Sequence, residues 1–468
     1  MRERSDSTPA GGGAPVVQGE WVSIFVPDDH PLLCLKRALD WEAITAVMVK
    51  HWRAAGKNVD GGCGLRWPVA LYVPLLVLMW IESLHSRQME KYLSESVVAR
   101  RFVELTEVEV LHIRDHASIA RAEAALGVEG KAAVNALIIK TAGKLGFTDG
   151  KILSADTTVQ EPLIGYPNEP GILKGAAERI ERALRKLKER GVKGAQAGIA
   201  KAKEIYRSVK QHHLFAKTKA ERKRLLKRIV AQSEELLALT KAVIQSVSER
   251  CGRVKQSAAT KLKQVVEVCQ QLLPQIKQWL KTGKVATEKI IHVGLTEARA
   301  IVKGKGKGKV KFGMKWLINR LRGGYVFGER VAPRASETQM PQESLKAYRE
   351  VFGAKATPQM VVYDRGASLP AAAKGLKKAG VKKVGIPPRG QGAWLVGEKE
   401  QKVVKSERGK TEGSIGRLKS KKYGFSHRQE RSVETQDAAG QRVIVSVNLN
   451  TLLQDLIEQA TAASLVRC

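Results

Sequence analysis

The chain reads as an α/β protein: a mixed-sheet core, preceded by an all-helical N-terminal domain and interrupted by a long helical insertion. Three observations predict this. Two strand-like runs, KILSADTTVQEP around Asp156 and QMVVYDRGAS around Asp364, each carry an aspartate. Between them, Ile172 to Leu280 shows apolar residues at helical spacing, such as Ile172, Ala176, Ile180, Leu184 and Leu187. Before them, residues 83 to 146 show helical periodicity broken near Thr106, Gly127 and Gly143.

In chain order, MRERSDSTPAGGGAPVV has no apolar signal-peptide core, and its Ser, Gly and Pro content predicts a disordered arm over 1–20. Asp28 or Asp29 is the expected N-cap of a helix that has Pro31 just inside it. The apolar run 68 to 81 is shorter than the roughly 20 residues needed to span a bilayer, so a buried helix is expected. His112, Asp115 and His116 have metal-ligand spacing, but without further ligands they read as a polar helix face. Asp156 alternates with apolar residues in a strand that Pro162 ends; a carboxylate there must be paired or bind metal to offset its desolvation.

Residues 172–284 form a basic helical insertion of about four helices, with a kink expected at Pro274. Over 174 to 281, 27 Lys and Arg face 9 Glu, a local +18 within a chain whose net charge is +35. Such a charge, with pI near 10.0, favours a polyanionic partner, nucleic acid before an anionic membrane. The alternative for the insertion is a coiled-coil arm whose basic residues are only a solvated face. Trp279 could stack on an unpaired base, although its spacing from Ile276 fits the apolar core better. The five cysteines show no zinc-site spacing and no even disulfide framework, which fits a reducing cytosol.

Beyond the insertion, KGKGKGK (303 to 309) and RGKT (408 to 411) superficially resemble phosphate loops, but neither has the required glycine spacing. Lys309 to Leu317 and Gly323 to Arg330 alternate as an antiparallel hairpin. A helix (Glu343 to Val351), a strand (Met360 to Asp364), a helix (367 to 379), the strand VKKVGIPP, a helix bearing Glu412 and a closing amphipathic helix from Asn448 follow. With Thr411 onward helical, Glu412, Ile415, Gly416 and Lys419 share a face.

Asp156, Asp364 and the segment KSERGKTEGSIGRLKSKKYGF resemble the catalytic motifs of DDE transposases of bacterial insertion sequences. One large group of that family has Tyr, two residues, Arg, three residues, Glu, six residues, Lys. Arg408, Glu412 and Lys419 fit that spacing, while the Tyr position is Lys405. VKGKGKGKVKFGMKW also resembles the stretch before the second Asp, and the likeness covers roughly residues 20 to 170 and 285 to 460.

The resemblance implies an RNase H-like catalytic domain over 149–171 and 285–468, with a DNA-binding helical domain over 21–148. It implies that Asp156, Asp364 and Glu412 hold two Mg2+ ions, with Mn2+ as a substitute, for in-line attack on phosphorus. Arg408, Lys419, Lys410 and Arg365 are the expected DNA contacts. The expected partners are double-stranded DNA, as terminal inverted repeats and as target, and a second copy of the chain in a homodimer on DNA. The expected location is the bacterial cytoplasm, at the nucleoid. A nuclease of the same fold and a non-catalytic DNA-binding protein derived from a transposase are the alternatives.

Overall fold

The computed structural model describes residues 26–60, 65, 67–106, 109–110, 115–247, 252–303, 309–390, 392–428 and 432–465. The expected arm over 1–20, His112 and the interior of KGKGKGK lie outside the described residues.

The helices described before the first strand are α1 (Pro31–Ala38), α2 (Trp41–Ala54), α3 (Val69–Ile81), α4 (Ser86–Glu95), α5 (Val97–Val103), α6 (His116–Ala125) and α7 (Gly127–Lys144). The N-cap of α1 is His30, whose Nδ1 accepts from Leu32 N at 3.2 Å, rather than Asp28 or Asp29. The helix starts one residue later than the acidic pair because Pro31 fills the first helical position, leaving the cap to its immediate neighbour. Helix α3 is the apolar run expected to be buried, and its nine residues from Tyr72 to Ile81 other than Pro74 are buried. Among the described residues no single helix is long and apolar enough to cross a membrane; α3 and α4 pass such a test only together, across a 98° bend. Asp115 caps α6 by accepting from Ser118 N, and His116 accepts from Arg87, so this pair serves helix ends and packing.

The sheet has six strands: β1 (Ile152–Gln160), β2 (Arg299–Lys303), β3 (Lys309–Leu321), β4 (Val326–Arg330), β5 (Met360–Val362) and β6 (Lys383–Gly385). Its order is β2-β3-β1-β5-β6, with β4 also on β3. β1 is antiparallel to β3 and parallel to β5, and β5 is parallel to β6. The hairpin expected around Arg322 to Gly324 is β3–β4. Strand β2 was not expected. It pairs with Lys309 to Gly313, extending β3 beyond the part that faces β1.

Between β1 and β2 lie α8 (Glu169–Lys188), α9 (Ala195–Phe215), α10 (Lys219–Ser246) and α11 (Arg253–Thr282). These four helices enclose an apolar core of their own, built on Ile180, Leu184, Ile205, Ile229, Leu262 and Leu272, among others. Trp279 is partly buried against that core, as its spacing from Ile276 indicated. Pro274 lies inside α11, which runs through it.

Helices α12 (Met340–Phe352), α13 (Pro370–Lys378), α14 (Glu398–Leu418) and α15 (Val433–Leu465) complete the chain. One face of the sheet joins the N-terminal helices in a single core that includes Leu153, Leu317, Val361 and Tyr363. The other face packs Trp316, Ile318, Val326 and Phe425. Helix α15 runs between these two cores, contributing Val445 and Leu449 to the first and Val443, Ile444 and Val447 to the second. It therefore starts fifteen residues before Asn448, where the amphipathic helix was expected to begin, and is buried on several sides along its middle. Asn448 itself is fully buried and holds Val326 through both its N–H and its carbonyl.

Candidate active site

The alternation of β1 sends Ser154 and Asp156 to one face and Thr157 to the other. Ser154 pairs with Val362 across the parallel β1–β5 ladder, so two residues on, Asp156 and Asp364 stand at matching positions beyond the carboxyl end of β5. The sequence separates these aspartates widely, and the sheet brings them side by side.

Helix α14 covers this face. Val404 packs on Met360 and Val362, and a Cβ at Gly385 would lie 2.5 Å from Val404 Cγ2, so glycine there lets the helix sit close to β6. One turn on, Glu407 is buried and pairs with Arg320 of β3 at 2.6 Å. Thr411 shares a 2.7 Å hydrogen bond with Ser154. At the far end, Lys419 donates to the Val159 carbonyl at 2.6 Å and lies 3.9 Å from Glu161. These contacts lay α14 along β1 in the same direction as the strand.

Arg408 bonds and pairs with Asp364. Arg408 and Lys419 are eleven residues apart, which at about 100° per residue returns them to nearly the same azimuth. Glu412 is on that stripe between them and is exposed. The helix begins thirteen residues before Thr411, so the shared face is longer than the sequence indicated.

The remaining expected contacts are also placed. Lys410 is half out in solvent and pairs with Glu407 at 2.9 Å. Arg365 is exposed and opens a single 3-10 turn, Arg365–Ala367, directly after Asp364. Lys405, at the family's Tyr position, is exposed. Among the described residues no three His, Cys, Asp or Glu side chains are grouped to hold a metal ion, and Asp364 is engaged by Arg408. The donors at hand are carboxylate oxygens, the ligand type that Mg2+ and Mn2+ prefer.

Two acidic residues that sequence reasoning missed border the site. Glu407 neutralises the buried Arg320, whose guanidinium is pushed down by burial and held up by Glu407. Glu337 accepts from Thr157 Oγ1 at 3.1 Å and from Tyr363 Oη at 2.9 Å, and Lys315 pairs with it at 2.7 Å. Burial first, then Glu337 and the two aspartates, drive the Tyr363 phenol far above its ordinary range, so it remains a donor. Neither carboxylate has a local sequence signal, since each is defined by partners remote in the chain.

Fold and site together describe a mixed α/β protein with one aspartate inside the central strand and a second just past the end of the parallel strand beside it, under a basic helix. Residues 21–124, most of α1 to α6, match the family model described as Transposase domain (DUF772). No curated protein and no solved structure matches the chain.

Proposed function

We propose that the protein is a DDE transposase that binds the DNA ends of an insertion sequence and carries out metal-dependent strand cleavage and strand transfer. The observation that carries this reading is the alignment of Asp156 with Asp364 on adjacent parallel strands, with Glu412 on the stripe that Arg408 and Lys419 anchor across them. The strand order, a central first strand with an antiparallel hairpin on one side and two parallel strands on the other, supports an RNase H-like core. The transposase-domain match supports the same class.

In this mechanism Asp156, Asp364 and Glu412 would hold divalent cations by their oxygens. Bound Mg2+, or Mn2+ in its place, supplies activation of the attacking water or 3'-hydroxyl and stabilisation of the leaving oxygen. Arg408, now paired with Asp364, would be free to contact a DNA phosphate when Asp364 serves as a ligand. Lys419, Lys410 and Arg365 provide further cationic contacts along the backbone, and the basic helices α8 to α11 extend the DNA-binding surface. Terminal inverted repeats and target DNA are the substrates, handled by a homodimer.

The Asp364–Arg408 pair favours one second reading, a DNA-binding protein without catalysis, because it occupies a carboxylate that the metal requires. Cleavage of duplex DNA carrying the sequences that flank the gene, with Mg2+ and with chelator, separates the two. The transposase reading expects metal-dependent cleavage by the wild type and none by Asp156→Ala, Asp364→Ala or Glu412→Ala, with DNA binding kept in all three. Binding with no cleavage by the wild type under either metal would leave the second reading standing.

A further inference from the structure

We propose that Glu337 is a positioning residue that sets the spacing of Asp156 and Asp364 from the opposite face of the sheet. This rests on the metal-site reading above and adds to it a residue outside the Asp, Asp, Glu set.

The geometry is a bridge. Thr157 follows Asp156 on β1, and Tyr363 precedes Asp364 after β5, so both point away from the face that carries the aspartates. The two oxygens of Glu337 accept one hydrogen bond from each, at 3.1 Å from Thr157 and 2.9 Å from Tyr363. One carboxylate therefore ties the middle of β1 to the residue just past β5, next to each of the two aspartates. Thr157 is also coupled directly to Asp156, since its backbone N–H donates to Asp156 Oδ1 at 2.7 Å. Gly366 lies beside both carboxylates: a Cβ built there would lie 3.6 Å from Glu337 Cβ and 3.9 Å from Asp364 Oδ2.

The bridge is itself held. Lys315 of β3 pairs with Glu337 and donates to the Ala335 carbonyl at 3.0 Å, fixing the turn that presents the carboxylate. Tyr363 is fully buried, which leaves its hydroxyl little choice of partner. Carboxylates that must share cations tolerate little change in separation, and residues that orient metal ligands commonly alter affinity by about 10- to 100-fold when removed.

The test uses the full chain and Mn2+, with binding read by calorimetry or electron paramagnetic resonance and folding by thermal midpoint. Glu337→Ala is expected to weaken Mn2+ binding by about 10- to 100-fold while the folded chain keeps its affinity for duplex DNA. Glu337→Gln, which retains one acceptor oxygen, should recover part of that loss. Tyr363→Phe removes one arm of the bridge with little change in packing and should give a smaller loss, so it carries the test if Glu337→Ala fails to fold. A purely structural residue would lower the thermal midpoint without changing Mn2+ affinity, and that result overturns the proposal. Asp156→Ala is the reference. If it loses Mn2+ and the Glu337 and Tyr363 variants do not, the bridge alone is refuted; if it binds Mn2+ as the wild type does, the metal reading fails and the bridge with it.

Discussion

Arg408 serves one partner in this structure and a different one in the proposed reaction, and the exchange makes an unusual pair of expectations. Its guanidinium neutralises Asp364, whose side chain is 45% exposed. Arg408→Ala should therefore tighten Mn2+ binding by freeing the carboxylate, yet weaken DNA binding and flatten its salt dependence by about one counterion's worth. An unchanged salt slope in filter-binding titrations would make Arg408 a partner of Asp364 alone. Glu407 tests a different role. Removing it strands Arg320 in an interior where the pair is nearly solvent-free, so Glu407→Ala should cost about 3–5 kcal/mol in denaturant unfolding, with Arg320→Met/Glu407→Leu recovering much of it. A loss under about 1 kcal/mol would show that water reaches the pair. At this scale the sequence singled out Asp156 and Asp364 because a carboxylate in an apolar strand is unusual wherever it occurs. Glu407 and Glu337 were not, since nothing adjacent in sequence announces Arg320, Thr157 or Tyr363 as their partners.

The loop after α11 is the element that fastens the helical bundle to the sheet. Ile290 and Val293 enter the bundle core, while Ile291, Leu295 and Ala298 enter the sheet core, so the segment is shared between the two. His292 forms its turn by accepting at Nδ1 from Gly294 N at 3.2 Å and Leu295 N at 3.0 Å, which requires an unprotonated nitrogen. Burial, helped by Arg179, pushes its pKa down from 6.5 to about 4. A depressed histidine means that the unfolded chain binds more protons between those values. Its contribution to stability is thus complete above pH 6.5 and is lost as pH falls toward 4, by up to about 1.4 kcal/mol per pH unit. His292→Asn, which keeps a short acceptor, should flatten that part of the thermal-stability profile; an unaltered profile would assign the acid sensitivity to other groups. The bundle was legible because its apolar stripes repeat over many turns. The starts of α14 and α15 were not: α14 buries only Val404, Glu407, Thr411 and Leu418, too sparse a pattern to mark its first turns, and α15 is apolar on more than one side.

Across the whole molecule, the helical bundle and the sheet are built on separate apolar cores. The four-helix bundle carries the local +18 and has its own core, so it can be removed without opening the sheet. Replacing residues 172–281 with a short Gly/Ser linker should leave the sheet folded but abolish complexes holding two DNA ends in gel-shift assays. Retention of those complexes with native transposition would give the bundle another purpose. The general class was legible from charge and from the spacing of Arg408, Glu412 and Lys419, whereas the sheet register that aligns the aspartates depends on pairing across the insertion. The central claim is that Asp156, Asp364 and Glu412 form one metal centre. Anomalous scattering from crystals of the chain with duplex DNA and Mn2+ tests it most directly: the account predicts Mn2+ coordinated by oxygens of all three, with Arg408 withdrawn from Asp364 onto a phosphate. Mn2+ bound elsewhere, with Arg408 still on Asp364 and Glu412 in solvent, would contradict it.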